Sequence, residues 1–462
     1  MIMNLILFIG VLVLISFLLS PRTRSADGFF KGFSDNGAPP SLWTLILSQV
    51  TTWIFARSLM NAAILGYYYG VVGALAYAAY YLSFLTGGMI IDRIRFEHGC
   101  TSIQDFLRNH FGRLGTGTYN IVVAVRLLSE VFANLLVIGV LFGTAGSNAY
   151  TLGVIGIALL TLGYSMLGGL RASLRTDVFQ TVVLFAVLLL LLLQTLTGAE
   201  FSFAAVLGSS PDPTSPGWVL LAVAMLQIWS YPMHDPVMMD RGFLADRATT
   251  RRSFLHATWI SIIGILIFGL LGVHAGLFKA EGEALVATLT RLFGEPTMLL
   301  FNAALVVSAL STLDSTFSSA SKLAVVDMRL AAQHPNNGRI AMALFLIGGL
   351  LFLFLGSEDL FAAVAVSGTA SMFLAPVVFF CILGKRRVAR WAYALTFCCA
   401  MVAGAVYMLE AGGVIALMEP LFGVSHKYAK LLILCVGVLA VGSTAFALGL
   451  RSVELRPGEE MA

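Results

Sequence analysis

Residues 308–322 read SALSTLDSTFSSASK and place serine and threonine hydroxyls, one carboxylate and one lysine within a long apolar segment, 295–328. Hydrophobic residues make up 58% of the chain and charged residues 11%, so this segment has the composition of a membrane helix. An ionisable group inside a membrane span is costly and marks a candidate functional site. The stretch therefore predicts a membrane helix that carries a polar site.

Apolar runs long enough to cross a bilayer recur along the whole chain. A spanning helix needs about 20 apolar residues, and about thirteen runs approach that length. They cover 2–20, 41–64, 67–91, 117–143, 148–168, 176–197, 217–239, 254–278, 295–328, 339–357, 359–383, 391–411 and 427–450. The sequence thus predicts an all-α, multi-pass protein of the cell (inner) membrane.

The positions of the basic residues predict how these spans are oriented. Most of the 28 lysines and arginines lie in alternate connections, including Arg241 in the connection before 254–278. Cytoplasmic connections carry the excess of basic residues. We therefore expect the N-terminus outside and the C-terminus in the cytoplasm.

Hydroxyl side chains form a stripe along the predicted helix at 295–328. Ser308, Ser311, Thr312 and Ser315 follow an i, i+3, i+4, i+7 spacing and so share one helix face. Hydroxyls, freed backbone carbonyls and a carboxylate such as Asp314 are the oxygen ligands that a hard cation needs. In the alternative, the hydroxyls bond the preceding turn or join neighbouring helices.

Two arginines lie within predicted spans. Arg57 is near mid-span, too far from either surface for its side chain to extend to the membrane boundary, so its guanidinium must meet a carboxylate, a solute or internal water. Arg126 precedes Glu130 by four residues. A guanidinium suits a bidentate carboxylate, which can belong to a solute. The alternative is that Glu130 pairs with these arginines within the protein.

A broken helix is predicted where SYPMHDPVMMDR (230–241) carries two prolines beside His234 and Asp235. Proline removes a helical hydrogen bond and clashes with the preceding turn. We therefore expect the helix that begins near 217 to be interrupted here.

Several segments together resemble the sodium:solute symporter family, which includes Na⁺/proline, Na⁺/sugar and Na⁺/sialate carriers. The segments are DGFFKGF (27–33), SQVTTWIFA (48–56), TSIQDFLRNHFG (101–112), GGLRASLRTDVFQ (168–180), DPVMMDRGFLAD (235–246) and SALSTLDSTFSSASKLAVVDM (308–328). The resemblance implies a single transporter domain with a LeuT-like core of two inverted five-helix repeats, 41–200 and 215–385. Residues 1–40 would add an N-terminal helix and loop, and 389–462 two further helices and a tail.

The resemblance also implies two ion sites. Its main sodium site would use backbone carbonyls of the first core helix together with a carbonyl and two hydroxyls of the eighth; these residues are Thr51, Ile54, Ser308, Ser311 and Thr312. A second sodium site would use Asp177, Asp314 and Ser315. Asp314 departs from the serine expected at that position, and this carboxylate would strengthen cation binding or take up a proton.

The resemblance places solute-binding positions near the break in the first core helix and in the third and sixth core helices. The residues are Trp53, Arg57, Arg126 and Tyr231, and Tyr231 is also the expected inner gate. The implied function is a Na⁺-coupled secondary symporter that imports a small organic solute by alternating access, with Na⁺ as coupling ion and membrane lipid around it. Because Arg57 and Arg126 fall where family members contact substrate, one hypothesis is that the solute is a small organic anion such as a carboxylate or an amino acid. Inward movement of Na⁺ supplies about 2.3 kcal/mol per charge per 100 mV.

Other classes of function are weighed against this one. No nucleophile–base pair, metal motif or nucleotide-binding loop stands out in the sequence, so neither an enzyme nor a nucleic-acid-binding protein is expected. Two alternatives stay open at this point. One is a proton-coupled symporter of the same fold, and the other is a transporter-like membrane protein that senses a solute.

Overall fold

A computed structural model describes residues 2–198, 200–355 and 368–451. Almost all of the regular structure is helical. The first half contains α1 (Ile2–Leu19), α2 (Ala26–Lys31), α3 (Leu42–Trp53), α4 (Ala56–Ala79), α5 (Ser83–Phe96), α6 (Ile103–Phe142), α7 (Asn148–Gly168), α8 (Leu170–Leu196) and α9 (Phe203–Leu207).

The second half continues with the helices α10 (Pro216–Gln227), α11 (Pro236–Arg241), α12 (Arg247–Leu277), α13 (Leu285–Lys322), α14 (Pro335–Leu355), α15 (Gly368–Leu383), α16 (Arg390–Ala411), α17 (Met418–Phe422) and α18 (Lys427–Leu448). A π-helical turn, Leu323–Asp327, extends α13. The short strands β1 (Arg387–Val388) and β2 (Leu450–Arg451) pair antiparallel and join the ends of α16 and α18.

The long helices agree with the predicted spans. In the described part of the chain, 10 helical segments are long and apolar enough to cross a membrane, and one of them is Ala56–Phe96. That segment reverses at Gly70, whose φ is +67°. The reversal brings Tyr77 back to Ser58, and Tyr77 Oη donates a hydrogen bond to Ser58 Oγ at 3.0 Å. In one straight helix these residues would lie roughly 28 Å apart. With this reversal and the shorter helices α10 and α15, the structure matches the predicted number of spans.

Among the described residues, two membrane spans are interrupted at the candidate sites. α3 ends at Trp53 and α4 begins at Ala56, and Ile54 between them has φ −80° and ψ 75°. The amide of Ala56 donates to Asn134 Oδ1 of α6 at 3.3 Å, which holds the break in place. A 3₁₀ turn, Tyr231–His234, separates α10 from α11 and confirms the predicted interruption. The beginning of the predicted span at 359–383 lies outside the described residues.

α13 runs through the centre of the protein. Every residue from 301 to 321 is buried, although many of them are serines and threonines. A helix that is buried all round is enclosed by other helices, and α13 packs against α3, α6, α8 and α14. The hydroxyl stripe therefore faces protein.

The structure corrects one expectation from the charge pattern. The charge pattern places Arg241 in a cytoplasmic connection, but it is the last residue of α11 and is 0% exposed. Side chains of α3, α8 and α13 surround it. The orientation of the termini and the inverted repeat boundaries stay predictions.

Candidate functional site

The break between α3 and α4 faces the hydroxyl stripe of α13. Ser308 Oγ donates a hydrogen bond to the carbonyl of Ile54 at the break, and Thr312 Oγ1 donates to the carbonyl of Ser308 at 2.9 Å. Ser311 lies on the same face of α13. The hydroxyl of Thr51 is buried on α3 without a hydrogen-bond partner among the described residues. The predicted main sodium ligands thus lie on two adjoining helices.

The three residues of the predicted second ion site lie together between α8 and α13. Ser173 of α8 connects them, because its hydroxyl lies 3.0 Å from Asp314 Oδ1, 2.8 Å from Ser315 Oγ and 3.3 Å from Asp177 Oδ2. Thr176 Oγ1 donates to the other oxygen of Asp314 at 2.8 Å. Both carboxylates are 0% exposed. We call Asp177, Asp314, Ser315 and their hydroxyl neighbours the acidic cluster.

A guanidinium that the sequence reasoning missed lies in the acidic cluster. Arg241 Nε donates to Ser48 Oγ at 2.6 Å, and its Nη2 lies 2.8 Å from Ser315 Oγ and 3.3 Å from Asp177 Oδ2. Its Nη1 donates to the carbonyl of Val237 at 2.6 Å. The available signal was its position at the end of a short helix directly after the predicted break.

The acidic cluster lacks one positive charge when both of its carboxylates are ionised. Arg241 pairs with Asp177, whereas Asp314 accepts hydrogen bonds from the hydroxyls of Ser173 and Thr176 and has no cationic partner among the described residues. An uncompensated charge in a buried place is costly, so the cluster favours the approach of a cation. Ser311 Oγ donates to Asp177 Oδ1 at 2.8 Å and links this cluster to the main sodium ligands. A hydroxyl can donate to a carboxylate while its oxygen binds a cation.

The two intramembrane arginines pair with acids of the protein. Arg57 and Arg126 both form ion pairs with Glu130, and Arg126 Nη2 lies 3.0 Å from Asp235 Oδ2. Trp53 Nε1 donates to the same oxygen of Asp235 at 2.9 Å. All four charged side chains are buried. The structure thus shows the internal pairing that stood as the alternative to direct solute binding, and the solute-binding role of both arginines stays a prediction. We call Arg57, Arg126, Glu130 and Asp235 the four-charge network.

A small cavity adjoins the break in the first core helix. Trp53, Arg57 and Tyr231 line it, together with Tyr80, Tyr81 and Gln227. The rings of Trp53 and Tyr231 lie 5.6 Å apart. Arg126 lies behind Tyr231, with its Cζ 5.4 Å from that ring. The structure therefore brings three of the four predicted solute residues to one cavity, and the gating role of Tyr231 stays a prediction.

Comparisons with known proteins bear mainly on the fold. No family model matches the chain. A urea active transporter of Saccharomyces cerevisiae (strain ATCC 204508 / S288c) is 27% identical over 193 residues, which are 39% of this chain and 25% of that protein. The chain thus aligns with about a quarter of its curated relative.

Two solved structures share the architecture. A Na⁺-coupled sialic acid symporter, in its substrate-bound outward-open state, superposes with a TM-score of 0.74 at 15% identity, over 98% of both chains. Mhp1, a nucleobase-cation-symport-1 family transporter in a closed conformation with bromovinylhydantoin bound, gives 0.56 at 14% identity, over 93% of this chain and 96% of that one.

The chain is an all-α, multi-pass membrane protein, and both structural neighbours are transporters of the LeuT-like fold. Neither neighbour is an enzyme. The likeness in structure extends over nearly the whole chain, whereas the identities are low. The resemblance to sodium:solute symporters stays a resemblance, and the coupling ion and the solute are matters for proposal.

Proposed function

We propose that this protein is a Na⁺-coupled symporter that imports a small organic solute by alternating access. One observation carries the proposal: the carbonyl of Ile54, at the break between α3 and α4, meets the Ser308 hydroxyl on the hydroxyl face of α13. Main-chain carbonyls at a helix break and hydroxyls of a neighbouring helix are a recurring sodium-binding arrangement in transporters built of broken helices. The shared fold with two symporters supports it.

The proposed main site uses Thr51, Ile54, Ser308, Ser311 and Thr312. A sodium ion there would hold the break against α13. Trp53 and Arg57 lie on either side of the same break and line the cavity. Na⁺ binding would therefore fix the wall of the solute cavity, and this differential contact couples the two ligands.

The acidic cluster is the candidate for any second coupling cation. The hypothesis of a second sodium at Asp177, Asp314 and Ser315 rests on the missing positive charge of that cluster. Proton coupling is the alternative, because a proton on Asp314 would supply the same charge. The cluster can thus take one monovalent cation of either kind.

The solute of the yeast relative offers a starting point for a screen. That protein is a urea active transporter, and urea is a small, planar, uncharged molecule. The aromatic walls of the cavity suit a planar solute, because flat molecules stack on such rings. Urea is therefore the first compound to test as a substrate.

Thermal unfolding of the purified protein in NaCl, KCl and choline chloride tests the coupling ion. We expect an unfolding temperature that rises specifically with Na⁺, because a ligand that binds only the folded state stabilises it. The double variant Ser311→Ala/Thr312→Ala should lose this rise. Ser321→Ala is the matched control, because its hydroxyl donates only to Ser318 within α13 and lies beyond the site.

A stabilisation that does not distinguish Na⁺ from K⁺ would contradict the main sodium site. Solute uptake driven by a pH gradient would then favour proton coupling. Na⁺ binding without any solute flux in proteoliposomes would favour a sensor.

A further inference from the structure

We propose that the solute of this site is electrically neutral: a small planar molecule that offers an acceptor oxygen and carries no carboxylate. The inference rests on the proposed symport function and deepens it. It replaces the organic anion that the arginines alone suggest. Three observations carry it, namely the charge of the four-charge network, the charge of the acidic cluster and the unpartnered nitrogens of Arg57.

The four-charge network is already neutral without a solute. Two guanidiniums, Arg57 and Arg126, face two carboxylates, Glu130 and Asp235, and all four side chains are buried. Asp235 Oδ1 also accepts from the amide of Met238 at 3.1 Å. An anionic solute beside Arg57 would either add an uncompensated buried charge or displace Glu130 from its partners. Both are costly in a dry site.

The acidic cluster, and not the solute, balances the charge of a coupling cation. When both are ionised, Asp177 and Asp314 carry one negative charge more than Arg241 compensates. Ser311 connects this cluster to the main sodium ligands. One Na⁺ would thus neutralise the acidic cluster and leave no positive charge for an anionic solute. The four-charge network, the ionised acidic cluster, one Na⁺ and a neutral solute together carry no charge in excess.

Two nitrogens of the Arg57 guanidinium can still donate hydrogen bonds. Its side chain is 1% exposed and lines the cavity. Its Nε and Nη1 have no hydrogen-bond partner among the described residues, while its Nη2 binds Glu130. A buried donor without a partner costs free energy that an incoming acceptor recovers. A carbonyl oxygen can accept these bonds without bringing a charge.

Matched pairs of probes that differ in charge but hardly in shape test the inference on the full-length purified protein. The pairs are acetamide with acetate, benzamide with benzoate, and urea with guanidinium. Binding is measured by thermal stabilisation in NaCl and by competition in proteoliposomes. We expect neutral members to bind in the presence of Na⁺ and their charged counterparts to bind about tenfold more weakly or worse.

Changing the charge of the four-charge network should change which member of each probe pair binds more tightly. Glu130→Gln keeps the shape of the side chain and leaves the network with one positive charge, so it should favour acetate or benzoate over the matching amide. Asp235→Asn makes the same change of charge from another helix, in case Glu130→Gln does not fold. Glu419→Gln is the control, because Glu419 is exposed on α17.

The Na⁺ response tests the proposed symport function, and the solute preference tests the inference of a neutral solute, so the two proposals can fail independently. Without any Na⁺-specific stabilisation, the proposed symport function fails. With a Na⁺ response, the inference alone is overturned if the unaltered protein prefers the carboxylate members, or if it binds no neutral probe. It is also overturned if folded Glu130→Gln protein keeps the preference of the unaltered protein.

Discussion

Arg241 is the residue on which the charge balance of the acidic cluster depends. Its guanidinium contacts Ser48, Asp177 and Ser315 with 0% exposure. Arg241→Gln should remove the positive charge and leave two buried carboxylates facing each other. Loss of one partner of a buried ion pair typically costs about 3–5 kcal/mol. We expect a large fall in unfolding temperature in Na⁺-free buffer and a larger Na⁺-induced rise than in the unaltered protein.

A second substitution and a surface control make this prediction specific. Asp314→Asn added to Arg241→Gln restores the original net charge and should recover part of the stability, which a double-mutant cycle measures. Arg252→Gln removes an exposed arginine of α12 and should change little. If Arg241→Gln protein is as stable as Arg252→Gln protein, Arg241 does not compensate the cluster.

The sequence predicts some of these residues well and others not at all. The hydroxyl stripe and the pairing of Arg126 with Glu130 follow from helical spacing, because both are local along the chain. Asp235 is distant in sequence from Arg126, so their ion pair depends on tertiary structure. Arg241 was misassigned because a charged residue after a proline-rich break has the local pattern of a loop.

Close packing of α4 against α12 sets the geometry of the break at the level of helices. A Cβ atom on Gly272 would overlap the carbonyl of Ala63. Small residues allow membrane helices to approach this closely. Gly272→Ala should therefore force the two helices apart and destabilise the protein by about 1–3 kcal/mol, measured as a lower unfolding temperature in detergent.

Gly156→Ala on α7 is the matched control for this prediction. Nothing lies within 4 Å of a Cβ built at Gly156. Alanine is favoured over glycine in a helix by about 1 kcal/mol, so this variant should be as stable as the unaltered protein or more stable. Equal stability of the two alanine variants would show that the α4–α12 contact is looser than the structure has it.

The helices themselves were largely predictable, whereas their breaks were predictable only in part. Hydropathy finds the spans because a bilayer requires long apolar helices. The prolines at 232 and 236 predict the break before α11. The break at Ile54 carries neither proline nor glycine, so only the resemblance to a known family pointed to it. The turn at Gly70 lies beyond the short gap predicted at 65–66, since tyrosines continue the apolar pattern.

At the scale of the whole molecule, α13 and the break that faces it lie between the two candidate sites, because Ser311 of α13 contacts Asp177 of the acidic cluster and residues beside the break line the cavity. The acidic cluster lies against one part of this assembly, and the cavity lies beside the break. A cation that fixes α13 to the break therefore acts on the wall of the cavity without touching the solute. The net charge of the two sites then determines how much charge one transport cycle moves across the membrane.

If one Na⁺ accompanies one neutral solute, each cycle moves about one elementary charge, worth about 2.3 kcal/mol per 100 mV. We expect this ratio when current and radiolabelled urea, or another neutral probe that binds, are measured together in proteoliposomes. A ratio near two would place a second Na⁺ at Asp177, Asp314 and Ser315. A ratio near zero would mean that an anion travels with the sodium ion, contrary to the neutral-solute proposal. Current that persists without Na⁺ and follows a pH gradient would show that the coupling ion is a proton, for which the acidic cluster is the candidate site.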